Sequence, residues 1–572
     1  MHLKSFNKET NGYEVLFSFL KKREITQFFG VTGGGVVHFL KHIAPYSSSD
    51  EANFFTIGEY TAGFAPLGYY LTNKKIAASV STLGAATKLI MCGLSDAKLH
   101  DIPSIYIVPA YDTTLDGQAS LQDSSIFGSN IIEQLYAECP DSVFVFNHEN
   151  NIYEQLARAE LALKEHKPVV FVLNHSALIQ ATAYERKTYA PIAITISSDE
   201  TAQYEFLAKL LNAVKGKKLT VLVGEEMNLY PDSKNLLSQL SQKLKPYIIW
   251  SMNGANSVGE NNEYGYGYLG FGGNDLANNH FNQLGAEDVL LVLGACPDEY
   301  TVNLQNFSAD HTFYCTNIKN AYGQVQGSLQ HRAQGKYSQL NYPLDSFIHH
   351  LLADQSNLEN IPAPVAPENL NTRIISAPDQ GFTHMEHFYQ RLNIWWPKNS
   401  IAFSDVCLAY KDRQYITQRP NDNIDFYSLY RGSAMGYVLG AAIGAKIATP
   451  DKNVFAFTGD GCFKLFAGSL AEAADLGITL FVLNNSKFSI VDQGLHTILP
   501  DVPTAYWHSE VKPIDYCKLA EACGWRSSKL NIDLSNFEDL LDSTLDSNQS
   551  LLIEVAVDPN QILGINPRVH NL

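Results

Sequence analysis

Asp460, Asn485 and Glu59 are the residues whose types and surroundings set the chemistry open to this chain. Asp460 stands between Gly459 and Gly461, just after the apolar run Val454–Phe457. Asn484 and Asn485 follow a second apolar run, Thr479–Leu483. Each run reads as a short strand, and Ala467–Leu476 reads as a helix ended by Gly477. Strand, crossover helix and strand imply a parallel pair. Asp460 and the asparagines then lie at the carboxyl ends of neighbouring strands, where open α/β sheets take ligands. A carboxylate and an amide oxygen are hard donors that suit Mg²⁺ or Ca²⁺. Gly459 and Gly461 let backbone N–H groups approach a diphosphate. A plain turn would use the same two glycines; the Asn-Asn pair at the next strand end sets this stretch apart.

The elements that must position these groups recur along the chain. In residues 11–175 strands alternate with helices: Thr26–Phe29, Phe54–Ile57, Lys75–Val80 and Ser104–Val108 are strands, with helices from Val36 and Glu59 and a third that follows Ser81–Ala86 and ends near His100. That alternation predicts a doubly wound parallel sheet. Glu59 opens its helix, where a carboxylate also simply complements the macrodipole. Lys218–Gly224, Tyr247–Trp250 and Asp288–Gly294 predict a second α/β unit, and Ile401–Asp405 begins a third. The small residues of Leu429–Lys446 predict a helix that packs closely on its sheet. Leu551–Val557 reads as a late strand and Asn560–Leu572 as a surface tail.

These stretches resemble the thiamine-diphosphate (ThDP) enzymes of the acetolactate synthase, pyruvate oxidase and decarboxylase type. Gly459-Asp-Gly461 with Asn484-Asn485 is similar to their metal–diphosphate motif. Gly58-Glu-Tyr-Thr-Ala-Gly-Phe-Ala-Pro-Leu-Gly-Tyr69 resembles their glutamate helix. Gly30-Val-Thr-Gly-Gly34 and Ser81-Thr-Leu-Gly-Ala-Ala-Thr87 resemble their glycine loops, with Thr32 where proline is usual and Ser81 where glycine is. Leu121-Gln-Asp123 and Gly432–Ala445 are similar to segments of acetolactate-synthase-like members.

The resemblance implies three doubly wound α/β domains: a pyrimidine-binding domain at 1–180, a central domain at 195–350 and a diphosphate-binding domain at 372–572. Connectors fall at 176–200 and Asp354–Asn371. It implies that Asp460, Asn485 and the carbonyl of Lys487 hold Mg²⁺, with Ca²⁺ as the other candidate. It places Gly33, Gly34, Gly84, Asp405, Ser433, Met435, Gly459, Gly461 and Cys462 around ThDP. Glu59 would share a proton with the pyrimidine N1′, Met435 would wedge beneath the bent cofactor, and Gln122 would face the substrate. Met435 as a core methionine and Gln122 as an exposed loop residue remain open. Ser486–Gly494 would cover the cofactor.

The reaction implied is decarboxylation of a 2-oxo acid to an enamine, followed by transfer to a carbonyl acceptor. Simple decarboxylases of the family carry a His-His pair after the second glycine loop, and no histidine occurs between Asp101 and Asn147. A carboligase is therefore favoured over a non-ligating decarboxylase, a flavin-dependent oxidase or a silent binding homologue. The central domain binds FAD in some relatives; its glycine-rich stretches fit tight turns better and carry no G-x-G-x-x-G, so FAD is the weaker expectation.

Composition narrows the classes further. The 572 residues exceed one core, and 45% hydrophobic with 17% charged residues is a globular mixture. A net charge of −18 argues against nucleic acid as the main partner. The eight cysteines form no Cys-x-x-Cys pair, and no window reaches the ~18 apolar residues of a membrane span. The expected protein is reduced and cytoplasmic. The resemblance adds a homodimer or homotetramer with active sites between chains.

Overall fold

Runs of buried, β-branched and aromatic residues close into three parallel sheets. The computed structural model describes residues 10–572 except 48–52, 113–114, 116–117, 119, 149–150, 183–199, 319–327, 355–360, 366 and 546. Most of the expected first connector and part of the second thus lie outside the described residues. The first sheet holds β1 (Gln27–Gly30), β2 (Asn53–Thr56), β3 (Ala78–Val80), β4 (Ile105–Ala110), β5 (Val143–Phe146) and β6 (Val169–Asn174), in the order β2-β1-β3-β4-β6-β5. The central sheet holds β7 (Lys218–Val223), β8 (Tyr247–Trp250), β9 (Gly265–Tyr268), β10 (Asp288–Leu293), β11 (His311–Thr316) and β12 (Lys336–Asn341), ordered β9-β8-β7-β10-β11-β12. The third holds β13 (Ser400–Ser404), β14 (Ile424–Tyr427), β15 (Asn453–Gly459), β16 (Ile478–Asn484), β17 (Arg526–Lys529) and β18 (Leu551–Ala556), ordered β14-β13-β15-β16-β18-β17. Every ladder in the three six-stranded sheets is parallel. Most strands are buried on both faces, as parallel sheets covered by helices require.

The chain divides into two compact units, Met1–Thr195 with Arg431–Asp451, and Ile196–Tyr430 with Lys452–Leu572. The first unit contains helices α1 (Gly12–Lys22), α2 (Val37–Ser47), α3 (Glu59–Asn73), α4 (Ala85–Leu99) and α5 (Tyr437–Ala448). Its small-residue helix α5 packs on α3. The glycines show why. A methyl carbon at Gly68 would lie 1.9 Å from the Ala441 carbonyl oxygen, and one at Gly444 would lie 1.9 Å from that of Ala65. Gly440 approaches the Thr61 carbonyl as closely as 2.3 Å on the same test. Backbone meets backbone, and no side chain larger than hydrogen fits at those points. On the other side of α3, Gly93 on α4 meets Gly63 in the same way, at 2.0 Å.

Two expectations are corrected in the second unit. The helix after Asp460 is α6 (Asp460–Phe466), followed by 3₁₀ turns at Ala467–Ser469 and Ala471–Ala473. Asp460 is the first helical residue because β15 runs straight to Gly459, and an acidic side chain suits a helix start. The tail is also not a loose surface segment. Leu563 is buried, Gly564 N–H donates to Asp412 (2.9 Å), and Lys411 Nζ donates to the Gly564 carbonyl (3.0 Å). Lys411 and Asp412 are themselves buried and paired at 2.6 Å.

Gly68→Ala is expected to destabilise the first unit by about 1–3 kcal/mol through overpacking against α5. Gly34→Ala, with nothing within 4 Å of its added methyl, is expected to leave the thermal midpoint unchanged. Calorimetry of the two variants checks the contrast.

Candidate functional site

In each sheet the chain leaves the first strand in one direction and returns on the other side, which opens a crevice at the carboxyl ends of two adjacent strands. In the third sheet that crevice lies between β13 and β15, so Asp405 and Asp460 flank it. Asp405 is fully buried; its carboxylate accepts from Thr458 Oγ1 (2.9 Å) and from Val406 N–H (2.8 Å). Asp460 is 2% exposed. Its Oδ1 accepts from Gly461 N–H at 2.8 Å, while its Oδ2 is buried without a hydrogen-bond partner. Burial raises the Asp460 carboxyl above its ordinary range, and the N–H groups of Gly461, Ser486 and Asn485 pull in the other direction. A methyl at Gly461 would meet the Phe488 ring at 2.4 Å, so the ring would have to move to admit one. The Cys462 thiol donates to the Val406 carbonyl at 3.2 Å.

The neighbouring strand delivers the asparagines in register, Gly459 opposite Leu483. Asn484 donates to Glu554 (2.8 Å), whereas Asn485 Oδ1 accepts from Lys487 N–H (3.0 Å). The first asparagine is thus committed to β18 and the second holds the loop that follows. Lys487 Nζ pairs with buried Asp492 at 3.1 Å, and Asp492 also accepts from Ser509 Oγ. Helix α7 (Ser489–Ile498) begins inside this clamp.

In the first sheet the crevice lies between β1 and β3. The Gly30–Gly35 loop and the Ser81–Gly84 loop meet there. Gly33 faces Thr82, with only 3.0 Å to spare for a methyl, and Gly35 faces Leu83. Gly84, at φ 74°, lies against the side chain of Gln122, which is exposed. Glu59 is half-buried at the start of α3, with Gly58 as its cap. Tyr60 donates its hydroxyl to the Met435 carbonyl, so the turn 431–436 is tied to the residue beside Glu59. Ser433 is exposed with φ 50°. The turn is further held by Asp96, which accepts from Gly432 N–H (2.9 Å), and by His100, whose Nε2 accepts from Arg431 N–H (3.1 Å). Burial, with the nearby Arg431 guanidinium second, keeps His100 well below its ordinary pKa, so its ring stays neutral and can accept.

The structure therefore gathers the expected residues into two groups. Glu59, Met435, Ser433, Gly33, Gly34, Gly84 and Gln122 belong to the first unit. Asp405, Gly459, Asp460, Gly461, Cys462, Asn485 and Lys487 belong to the second. Tyr60, Asp96, His100, Asp492 and Ser509 were not found from sequence: the first three act through hydrogen bonds across more than 300 residues that no spacing announces, and the last two through a local clamp that no motif marks.

Two family models match: the thiamine pyrophosphate enzyme N-terminal TPP binding domain over residues 10–131, and the C-terminal TPP binding domain over 408–555. The chain belongs to the thiamine-diphosphate enzyme family. The mitochondrial acetolactate synthase catalytic subunit of Aspergillus candidus is 22% identical over 97% of this chain and 81% of that protein. The large subunit of acetolactate synthase isozyme 2 of Escherichia coli is 22% identical over 96% of each. A solved structure, the thiamine diphosphate-dependent 4-hydroxybenzoylformate decarboxylase of Rhodococcus jostii RHA1, shares the fold with a TM-score of 0.76 at 17% identity, covering 96% of this chain and 99% of that one.

For this ThDP enzyme the Asp460 corner fits a divalent cation bound with a diphosphate: one buried carboxylate oxygen has no partner, and a glycine stands on either side of it. Among the described residues no three His, Cys, Asp or Glu side chains cluster as metal ligands; a site completed by an amide, a carbonyl and phosphate oxygens needs only the one carboxylate. In the central sheet the equivalent crevice lies between β7 and β10, and Glu226, just after β7, lies against Gly294 at the end of β10. Its carboxylate accepts from Thr316 Oγ1 (2.5 Å) and Asn317 N–H (2.6 Å). No helix among the described residues is long and apolar enough to cross a membrane.

The raised carboxyl of Asp460 fixes a sign. Without a cation, the native state resists losing this proton while the unfolded state loses it near the ordinary value of 3.8. The stabilising contribution is therefore full below that pH and declines as pH rises toward the folded value. Asp460→Asn is expected to remove this acid-range slope and to abolish the thermal shift that Mg²⁺ gives the wild type. Melting curves against pH, with and without Mg²⁺, read both.

Proposed function

We propose that the chain is a ThDP- and Mg²⁺-dependent carboligase that decarboxylates a 2-oxo acid and joins the remaining fragment to a carbonyl acceptor, in the manner of acetolactate synthase. The observation that carries the reading is the unpartnered Asp460 oxygen in its glycine-flanked, buried corner. Asp460, Asn485 and the Lys487 carbonyl would hold the cation, and the backbone around Gly459 and Gly461 would hold the diphosphate. Asp492, by clamping Lys487 to Ser509, keeps that carbonyl in place. Glu59 would exchange a proton with the pyrimidine ring nitrogen, and the main chain at Ser433 would accept from the ring amine. Met435, tied through Tyr60, would support the cofactor from below, where a flexible thioether fills an irregular gap well. When bound, ThDP supplies the carbon nucleophile and the electron sink. Gln122, beside Gly84, would donate to the substrate.

The acetolactate synthase relatives support ligation. The decarboxylase with the same fold supports the second reading, in which the fragment is simply protonated and released. A flavin-dependent oxidase has less support, since Glu226 puts a buried carboxylate where a nucleotide phosphate would need donors. The functional form is proposed to be a homodimer or homotetramer with active sites between chains.

Glu59→Gln is expected to lower turnover of any accepted 2-oxo acid by at least about 100-fold, while calorimetric binding of Mg²⁺–ThDP is retained. Unchanged turnover removes the assignment. A panel of 2-oxo acids assayed for CO₂ with and without aldehyde or keto acid acceptors separates the two readings. Coupled products mark a ligase, and free aldehyde alone marks a decarboxylase. Sedimentation is expected to show activity only in dimers or larger species; an active monomer contradicts the shared site.

A further inference from the structure

A cavity of about 300 Å³ opens in the first unit at the carboxyl end of its sheet, beside the two glycine loops. Gly35 and Leu83 form part of its wall, and so do Tyr13, His38, Asp112, Ser120 and His175. At roughly 30 Å³ per water-sized group, it holds a ligand of about ten non-hydrogen atoms, at the small end of natural pockets.

Its polar wall has a definite character. The rings of His38 and His175 stack face to face, with centroids 3.2 Å apart and planes 14° apart. Burial first, and then His38, lower the pKa of His175, with Asp112 opposing. Tyr13 is 2% exposed, stays neutral with its pKa pushed up to about 12 by burial, and its hydroxyl lies 3.2 Å from His175 Nδ1. That contact leaves His175 Nε2 for a ligand. Among the described residues the His38 ring closes no hydrogen bond to protein, and Ser120 Oγ is buried without a partner. Among the described residues no lysine or arginine lines the cavity, and its one carboxylate is Asp112. An anion entering it would find no cation and one like charge; a neutral compound with hydroxyl and carbonyl groups would find two imidazoles, a phenol and a free hydroxyl, each able to donate or accept.

We propose that this cavity binds the carbonyl acceptor, and that the acceptor is a small, uncharged, hydroxyl-bearing aldehyde or ketone held by His38, His175 and Ser120. The acceptor role rests on the carboligase reading above; the cavity's preference for a neutral hydroxylated ligand does not. The histidine pair of the family's simple decarboxylases is missing between Asp101 and Asn147, yet two histidines, one from α2 and one just after β6, line this cavity. They share the cavity wall with Asp112 and with Gly35 and Leu83 of the two glycine loops.

Dihydroxyacetone and pyruvate, a neutral and an anionic ketone of similar size, serve as probes. Saturation-transfer NMR on the full chain without cofactor is expected to detect dihydroxyacetone and not pyruvate. His38→Phe, which fills the cavity, is expected to abolish the signal, His38→Gln to retain it, and Asp112→Asn to admit pyruvate. Pyruvate binding as well as dihydroxyacetone, or dihydroxyacetone binding undiminished in His38→Phe, overturns the proposal. In turnover, His38→Phe is expected to raise the acceptor KM at least 10-fold with the donor KM unchanged; a change confined to the donor KM also overturns it. Binding that follows these variants in a protein whose turnover ignores Glu59→Gln would sink the carboligase reading and leave the neutral-ligand site standing.

Discussion

Helices α3 and α5 touch backbone to backbone, and the order of the first unit's ligand end follows from that contact. Three glycines, at 68, 440 and 444, remove every side chain from the points of closest approach. The dispersion gain of so close a contact is large for its area, and it tolerates no compromise, because carbonyl oxygens stand where a methyl would go. Once α5 is fixed on α3, the turn preceding it is fixed as well. Tyr60 reaches the Met435 carbonyl, Asp96 takes Gly432, and neutral His100 takes Arg431. A glutamate at the start of one helix and a methionine before the start of the other are thereby held without either being packed into a rigid core.

The second unit uses the opposite device. Asp460 is kept in a place where its charge is costly, and only one of its oxygens is satisfied. A buried carboxylate with one free oxygen is poorly solvated until a cation arrives, so the corner carries its own driving force for binding. The surrounding bonds keep it from relaxing. Thr458 is committed to Asp405, Asn484 to Glu554 and Lys487 to Asp492. Each commitment removes a group that could otherwise turn toward Asp460 and satisfy it internally.

Much of this was legible in the amino-acid order. The apolar runs ending in glycine or asparagine marked the strands, and the placement of Asp460 and Asn485 at adjacent strand ends followed from the strand–helix–strand rule. The boundaries were less legible where local preference was overridden. Ala467–Leu476 has good helix formers, yet the helix starts at Asp460 and breaks after Phe466, where Gly468 interrupts the last helical turn. The final residues carry no strong apolar run, so the anchoring of Leu563 and Gly564 beside a Lys411–Asp412 pair far upstream could not be read. Nor could the meeting of His38 and His175, whose separation in sequence has no periodicity to betray it.

The insertion of α5 into the N-terminal unit bears on how the chain is made. The partner surface of α3 leaves the ribosome early, but the helix that covers it emerges only after the whole central sheet has been synthesised. At about 5–20 residues per second the face of α3 around Gly68 waits on the order of 20–70 s. During that interval the nascent unit exposes backbone and small apolar surface with nothing to cover it. Translation rate and chaperone access over the central segment thus bear directly on the yield of native protein, although that segment contributes no residue to the N-terminal unit.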